Sequence, residues 1–162
     1  MCIQTLMMRM IQYDQGDPKR IQHFIKVHSL ARTIGIQEGL QGEALFTLEA
    51  AALVHDIGIR LCEEKYGYCN GKLQEQEGPP LAEALLQELN VAPEVLQRVS
   101  YLVGHHHTYS NIDGLDYQIL VEADFLVNLY EDHLPLEKIQ AAVHNIFRTQ
   151  TGIAIAREMF GI

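Results

Sequence analysis

The chain has 162 residues, 12 of them Lys or Arg and 21 Asp or Glu, for a formal charge of −9 with histidine neutral. That length suits one domain, and 48% hydrophobic with 20% charged residues excludes a disordered or collagen-like chain. The acidic balance repels a phosphate backbone, so polymeric DNA or RNA is not an expected partner; a small phosphorylated substrate held by a metal stays open.

The opening MCIQTLMMRMIQY is apolar in places but broken by Gln4, Arg9 and Gln12. With no basic region followed by an apolar run, it reads as an N-terminal helix of a cytoplasmic protein. No stretch reaches the ~18 to 20 apolar residues that a bilayer span needs, so no membrane partner is expected. Asp17 followed by Pro18 is an N-cap with proline at the first helical position, which predicts a helix over about 18–34 with Gly35 as its stop. A second helix is expected over 42–56, stopping at Gly58. Residues 59–79, with Gly67, Gly71, Gly78 and the Pro79-Pro80 pair, read as a long connection of the sort that carries function.

Helices are expected again at about 80–89, 93–106, 115–131, 135–148 and 150–160, the one at 115 introduced by a turn from Asn111 to Gly114. No alternating strand is found. The expectation is an all-α bundle of six or seven helices in a single domain over 1–162, with its core at about 17–131 and C-terminal helices at 135–160. Cys2, Cys62 and Cys69 are odd in number and not in a CxxC spacing, which indicates reduced thiols rather than a disulfide framework or a zinc ribbon.

Several polar residues fall on the apolar stripes of these helices. His23, Val27, Leu30 and Ile34 share one stripe; Leu45, Leu48, Ala52 and His55 share another, with Asp56 on its neighbour; Tyr117, Leu120, Val121, Asp124 and Asn128 share a third. An unpaired buried carboxylate costs several kcal/mol, so Asp56 and Asp124 each need a cation or a dense set of donors. A divalent metal satisfies both, and imidazole with carboxylate suits a first-row ion. Each residue also has a plainer reading: His23 or His55 as a core histidine, Asp56 as a helix-end aspartate, Asp124 paired with Arg98 or Arg148, and His105, His106 and His107 as a polar helix end. Adjacent helical residues point about 100° apart, so the three histidines cannot all line one site.

The order His23, His55-Asp56, Asp124 resembles the HD-domain metal-dependent phosphohydrolase superfamily. The resemblance is carried by HFIKVHSLA at 23–31, AALVHDIG at 51–58 and LVEADFLVN at 120–128, and it covers nearly the whole chain. It implies that His23, His55, Asp56 and Asp124 coordinate one divalent ion, which could be Mn, Fe, Co, Ni, Mg or Zn. It further implies that a second ion, where present, is held with a His-His pair. That pair is His105-His106 here, with His106-His107 as the alternative register. No histidine stands between Asp56 and His105, and Glu75 or Glu77 is the candidate stand-in, with Glu77 taken as the possible second-metal ligand.

Ile59 follows the signature glycine where many members carry lysine, with Arg60 next as a candidate phosphate contact. His28 competes with His23 on the same helix, while His133 and His144 match nothing in the pattern. The implied activity is hydrolysis of a small phosphoester or nucleotide by a metal-activated water, with Asp56, His105 and His106 as catalytic residues. Alternatives are a di-iron oxygenase of the same fold and a non-catalytic metal- or nucleotide-binding signalling module. Tyr66, Tyr68, Tyr109 and Lys72 are candidate substrate contacts from the loops.

Overall fold

The computed structural model describes residues 2–162, and its order is α1 (Ile3–Tyr13), α2 (Pro18–Gln37), α3 (Gly42–Val54), α4 (Gly58–Tyr66), α5 (Gly71–Glu88), α6 (Pro93–Val103), α7 (Leu115–Glu131), α8 (Leu136–Ile146) and α9 (Gln150–Phe160). The all-α class is as expected, but there are nine helices among the described residues rather than six or seven. Part of the difference is the 59–79 segment, which is not a connection. Cys62 is buried on α4, and α5 runs through both Pro79 and Pro80.

Two prolines inside a helix remove two backbone donors, a loss that ordinarily ends it. Here packing outweighs the local preference, because α5 is held between α4 and α6. A Cβ on Gly78 would lie 2.7 Å from Val103 Cγ1, and one on Gly58 would lie 3.0 Å from the Gly78 backbone nitrogen. Gly67 does end α4, at φ +77°, whereas Gly58 and Gly78, which also resemble loop punctuation, are therefore points of close helix approach. Gly35 is another: it lies inside α2, where an added Cβ would meet Leu48 Cδ2 at 2.9 Å, and α2 continues to Gln37 before Gly39 turns at φ +91°.

At the start of α2 the local signal is obeyed. Asp17 accepts from the Arg20 backbone N–H at 3.0 Å, and Pro18 occupies the first turn. The innermost helix is α3, buried at every position from Thr47 to Val54 and packed against α1, α2, α6 and α7. A helix enclosed on all sides has no polar stripe, and this one has none. It therefore delivers whatever follows Val54 into the interior. Among the described residues no helix is long and apolar enough to cross a membrane.

Candidate metal centre

His55 and Asp56 stand in the turn between α3 and α4, with the Ile57 N–H bonded back to Val54 and the Ile59 N–H to Asp56. His55 is fully buried and Asp56 is 23% exposed, so the pair joins the core to an open cavity. α2 contributes His23 and α7 contributes Asp124, both buried. His23 Nε2 lies 3.3 Å from His55 Nε2, 3.2 Å from Asp124 Oδ1 and 3.4 Å from Asp56 Oδ2. His55 Nε2 lies 3.4 Å from Asp56 Oδ2 and 3.5 Å from Asp124 Oδ1. Four side chains from three parts of the chain thus meet around one point.

The tautomers follow from the outer partners. His55 Nδ1–H donates to the Ala52 carbonyl at 2.9 Å, and His23 Nδ1–H donates to Glu131 Oε2 at 2.8 Å. With the protons on Nδ1, both Nε2 lone pairs face each other and two carboxylates. Such a set is repulsive without positive charge at its centre, and it has the nitrogen and oxygen donors of a divalent-ion site.

The titration of the cluster points the same way. Burial alone would lower His55, but the Asp56 charge and the hydrogen bond to Asp124 raise it well above the ordinary histidine value; His23 is raised too, against burial, by Asp124. Burial alone would raise Asp124 and Asp56, yet His23 and His55 hold the first far below the carboxylate range, and His55 and His106 hold the second there.

A second group shares Asp56. His106 Nδ1–H donates to the Val103 carbonyl at 2.8 Å, turning Nε2 to within 3.5 Å of Asp56 Oδ1 and 3.3 Å of Gln74 Oε1. His107 Nε2 lies 2.9 Å from the same Gln74 oxygen. Asp56, His106 and His107 can together hold an ion, and the Gln74 amide oxygen stands between the two imidazoles.

The pair facing Asp56 is therefore His106-His107 and not His105-His106. His105 Nδ1 is bonded to the Tyr101 carbonyl and its ring stacks on Tyr101 at 4.1 Å, away from the cluster. The expected helix over 93–106 ends at Val103, so the 100° step ceases to apply and two adjacent histidines can face one site. Glu75 and the Tyr117 hydroxyl hold this turn: Glu75 Oε1 accepts from the His107 N–H at 3.0 Å, and the hydroxyl reaches the carbonyls of His105 and Thr108.

Other candidates lie elsewhere. Glu77 accepts from Lys65 and Tyr66 and does not face the cluster. Arg60 bonds Glu64 and the Tyr13 carbonyl. His28 pairs with Glu49 at 3.0 Å. Among the described residues Asp124 has no arginine partner: Arg98 binds Asp113 and Asp116, and Arg148 binds the carbonyls of Asn145 and Phe147 at the end of α8. Instead Asn128 Nδ2 donates to Asp124 Oδ1 at 2.8 Å.

Four contributors went unread in the sequence. Glu131 lies two helical turns beyond Asp124, a spacing that pattern reading could have found. Gln74 was hidden in the segment taken as a connection. Lys19 and Arg20 sit about one turn before His23, and with the cluster they line a cavity of about 430 Å³.

The sequence model of the HD domain matches residues 20–145. Among solved structures, the chain is similar to the crystal structure of a predicted HD superfamily hydrolase from an uncultured Thermotogales bacterium. The two are 25% identical with a TM-score of 0.66, and the match covers 98% of this chain and 83% of that one. No curated protein matches the chain.

Proposed function

Because the chain belongs to the HD-domain family, we propose that it is a metal-dependent phosphohydrolase acting on a small phosphomonoester or nucleotide. The observation that carries this reading is the pair of inward Nε2 atoms 3.3 Å apart, with two carboxylates within 3.5 Å, at the floor of a cavity with cationic residues on its wall.

His23, His55, Asp56 and Asp124 would hold one divalent cation; Asp56, His106, His107 and the Gln74 oxygen would hold a second. A cation bound there makes a coordinated water more acidic and offsets charge on phosphoryl oxygens. Asp56 presents Oδ2 to one group and Oδ1 to the other, so one carboxylate orients both halves of the site. Glu131 keeps the His23 proton on Nδ1 and so keeps Nε2 available.

Burial, with His106 beside it, pushes His107 down to about 4, so its imidazole is neutral at physiological pH and acts as a lone-pair donor rather than an acid. Lys19 and Arg20 supply positive charge for phosphoryl oxygens; Arg20 is aimed by its pairing with Glu63 and Asp17. In the overall reaction a water oxygen bonds to phosphorus, the ester P–O bond breaks, and the leaving oxygen takes up a proton.

The test combines elemental counting of metal per chain with turnover of a phosphomonoester panel in metal-defined buffer. We expect bound divalent metal and turnover that Asp56→Ala abolishes. Metal-dependent turnover retained by Asp56→Ala refutes the assignment, and turnover that requires O₂ replaces it with oxygen-dependent cleavage.

A further inference from the structure

Beside the metal cluster lies a second cavity of about 330 Å³ with a different chemistry. It shares His107, Asp124, Asn128 and Asp132 with the first cavity, so the two adjoin at the cluster. The rest of its lining is apolar and aromatic: Tyr109, Phe125, Leu129 and Leu134. Tyr109 and Phe125 pack edge to face, with ring centroids 5.1 Å apart and planes at 65°. Tyr109 nevertheless stays 42% exposed, and its hydroxyl lies 3.4 Å from His107 Nδ1.

From this placement we infer that Tyr109 and Phe125 form the subsite for the organic part of the substrate, and that this part is a flat, uncharged ring. Single exposed aromatics are common on protein surfaces and need no explanation. This one is different in position: with Phe125, Leu129 and Leu134 it lines a cavity that adjoins the candidate reaction centre, the arrangement of small-molecule sites. The pair offers a second ring a stacking or edge-on partner.

Charge decides what kind of ring. Asp124 and Asp132 line both cavities and the first has further carboxylates, Asp17, Asp56, Glu63 and Glu131, but Lys19 and Arg20 line the first only, so the second holds carboxylates with no Lys or Arg beside them. A second phosphate or a carboxylate there would be repelled. The molecule is therefore divided in binding, with phosphoryl towards Lys19 and Arg20 and ring towards Tyr109. A phenyl ring and a heterocyclic base share this chemistry.

That the ligand is a substrate rests on the phosphohydrolase reading, but its binding does not, so the test separates the two. Calorimetry on the metal-loaded protein compares two non-hydrolysable probes, benzylphosphonate and methylphosphonate. Benzylphosphonate is expected to bind at least tenfold more tightly. Tyr109→Ala and Phe125→Leu should each cut that preference to under threefold, and Tyr109→Phe should keep it. Equal affinity for the two probes, or a preference that survives both Tyr109→Ala and Phe125→Leu, overturns the inference.

A parallel turnover assay compares benzyl phosphate, a nucleoside 5′-monophosphate and glycerol phosphate, all with alkoxide leaving groups. Higher kcat/KM for either ring-bearing ester over glycerol phosphate supports the subsite and identifies which ring it takes; glycerol phosphate as the best substrate overturns it. Ring-dependent binding with no turnover of any ester retires the hydrolase reading while the aromatic subsite stands.

Discussion

Removing metal should make the stability of this protein depend on pH in a direction that loaded protein does not share. In the metal-free fold His23 and His55 are raised above their ordinary 6.5, since Asp56 and Asp124 favour their charged forms over the cost of burial. A histidine raised on folding contributes stability that is fully present below its unfolded value and is lost as pH rises through its folded value. The two Nε2 atoms are 3.3 Å apart, which leaves room for one proton between them and not two, so the pair titrates as a unit.

One proton costs about 1.4 kcal/mol per pH unit. For a chain of this size that is roughly 3–6 °C of Tm per unit, from about pH 6.5 until the folded value of the pair is passed. A bound divalent ion replaces that proton, and its affinity rises as protons withdraw. Calorimetric melts at several pH values, with chelator and with Mn²⁺, should therefore diverge as pH increases: the chelated curve falls and the loaded one holds or rises. Asp124→Asn should flatten the chelated curve, because it removes a charge that raises both histidines. Parallel curves across the range, or a chelated protein that gains stability with pH, would refute the reasoning.

Glu131→Gln keeps an acceptor near His23 Nδ1 but not its charge, so metal affinity should fall about 10- to 100-fold with the fold intact, as read by metal titration and circular dichroism. An unchanged dissociation constant would remove Glu131 from the centre. Gln74→His places a third imidazole beside His106 and His107 and should raise the zinc or iron retained after dialysis by about one ion per chain. Unchanged metal content would show that position 74 does not reach a second ion.

Asp14, buried at the end of α1, is pushed up by that burial from 3.8 to about 6. It therefore opposes folding above pH 6 and is neutral in its effect below about pH 4. Asp14→Asn should raise stability at pH 7.5 by about 1–2 kcal/mol, less than the full shift implies because water screens the charge. A variant less stable than the parent at pH 7.5 would contradict this.

What was legible in the sequence was whatever obeys helical periodicity. His23, His55 and Asp124 each break an apolar stripe at an interior position, and burial of polar groups on a regular helix can be read from a 3.6-residue repeat. The start of α2 was legible for the same kind of reason, since Asp17 and Pro18 act within a single turn. What failed was local punctuation overruled by packing. Gly35, Gly78 and the Pro79-Pro80 pair signal a break, yet each stands inside a helix because a neighbouring helix approaches closely there.

The sequence by itself determined the helical class and the order of the inward-facing polar side chains, because both depend on interactions between residues a few positions apart. Only the tertiary structure decided that His106 and His107 rather than His105 face Asp56, that Gln74 stands between them, and that Glu131 orients His23. Those outcomes depend on where α6 stops, and on contacts spanning from about 30 residues, between α5 and the histidine turn, to 108 residues, between Glu131 and His23. No local pattern encodes a distance that arises only when separate helices pack.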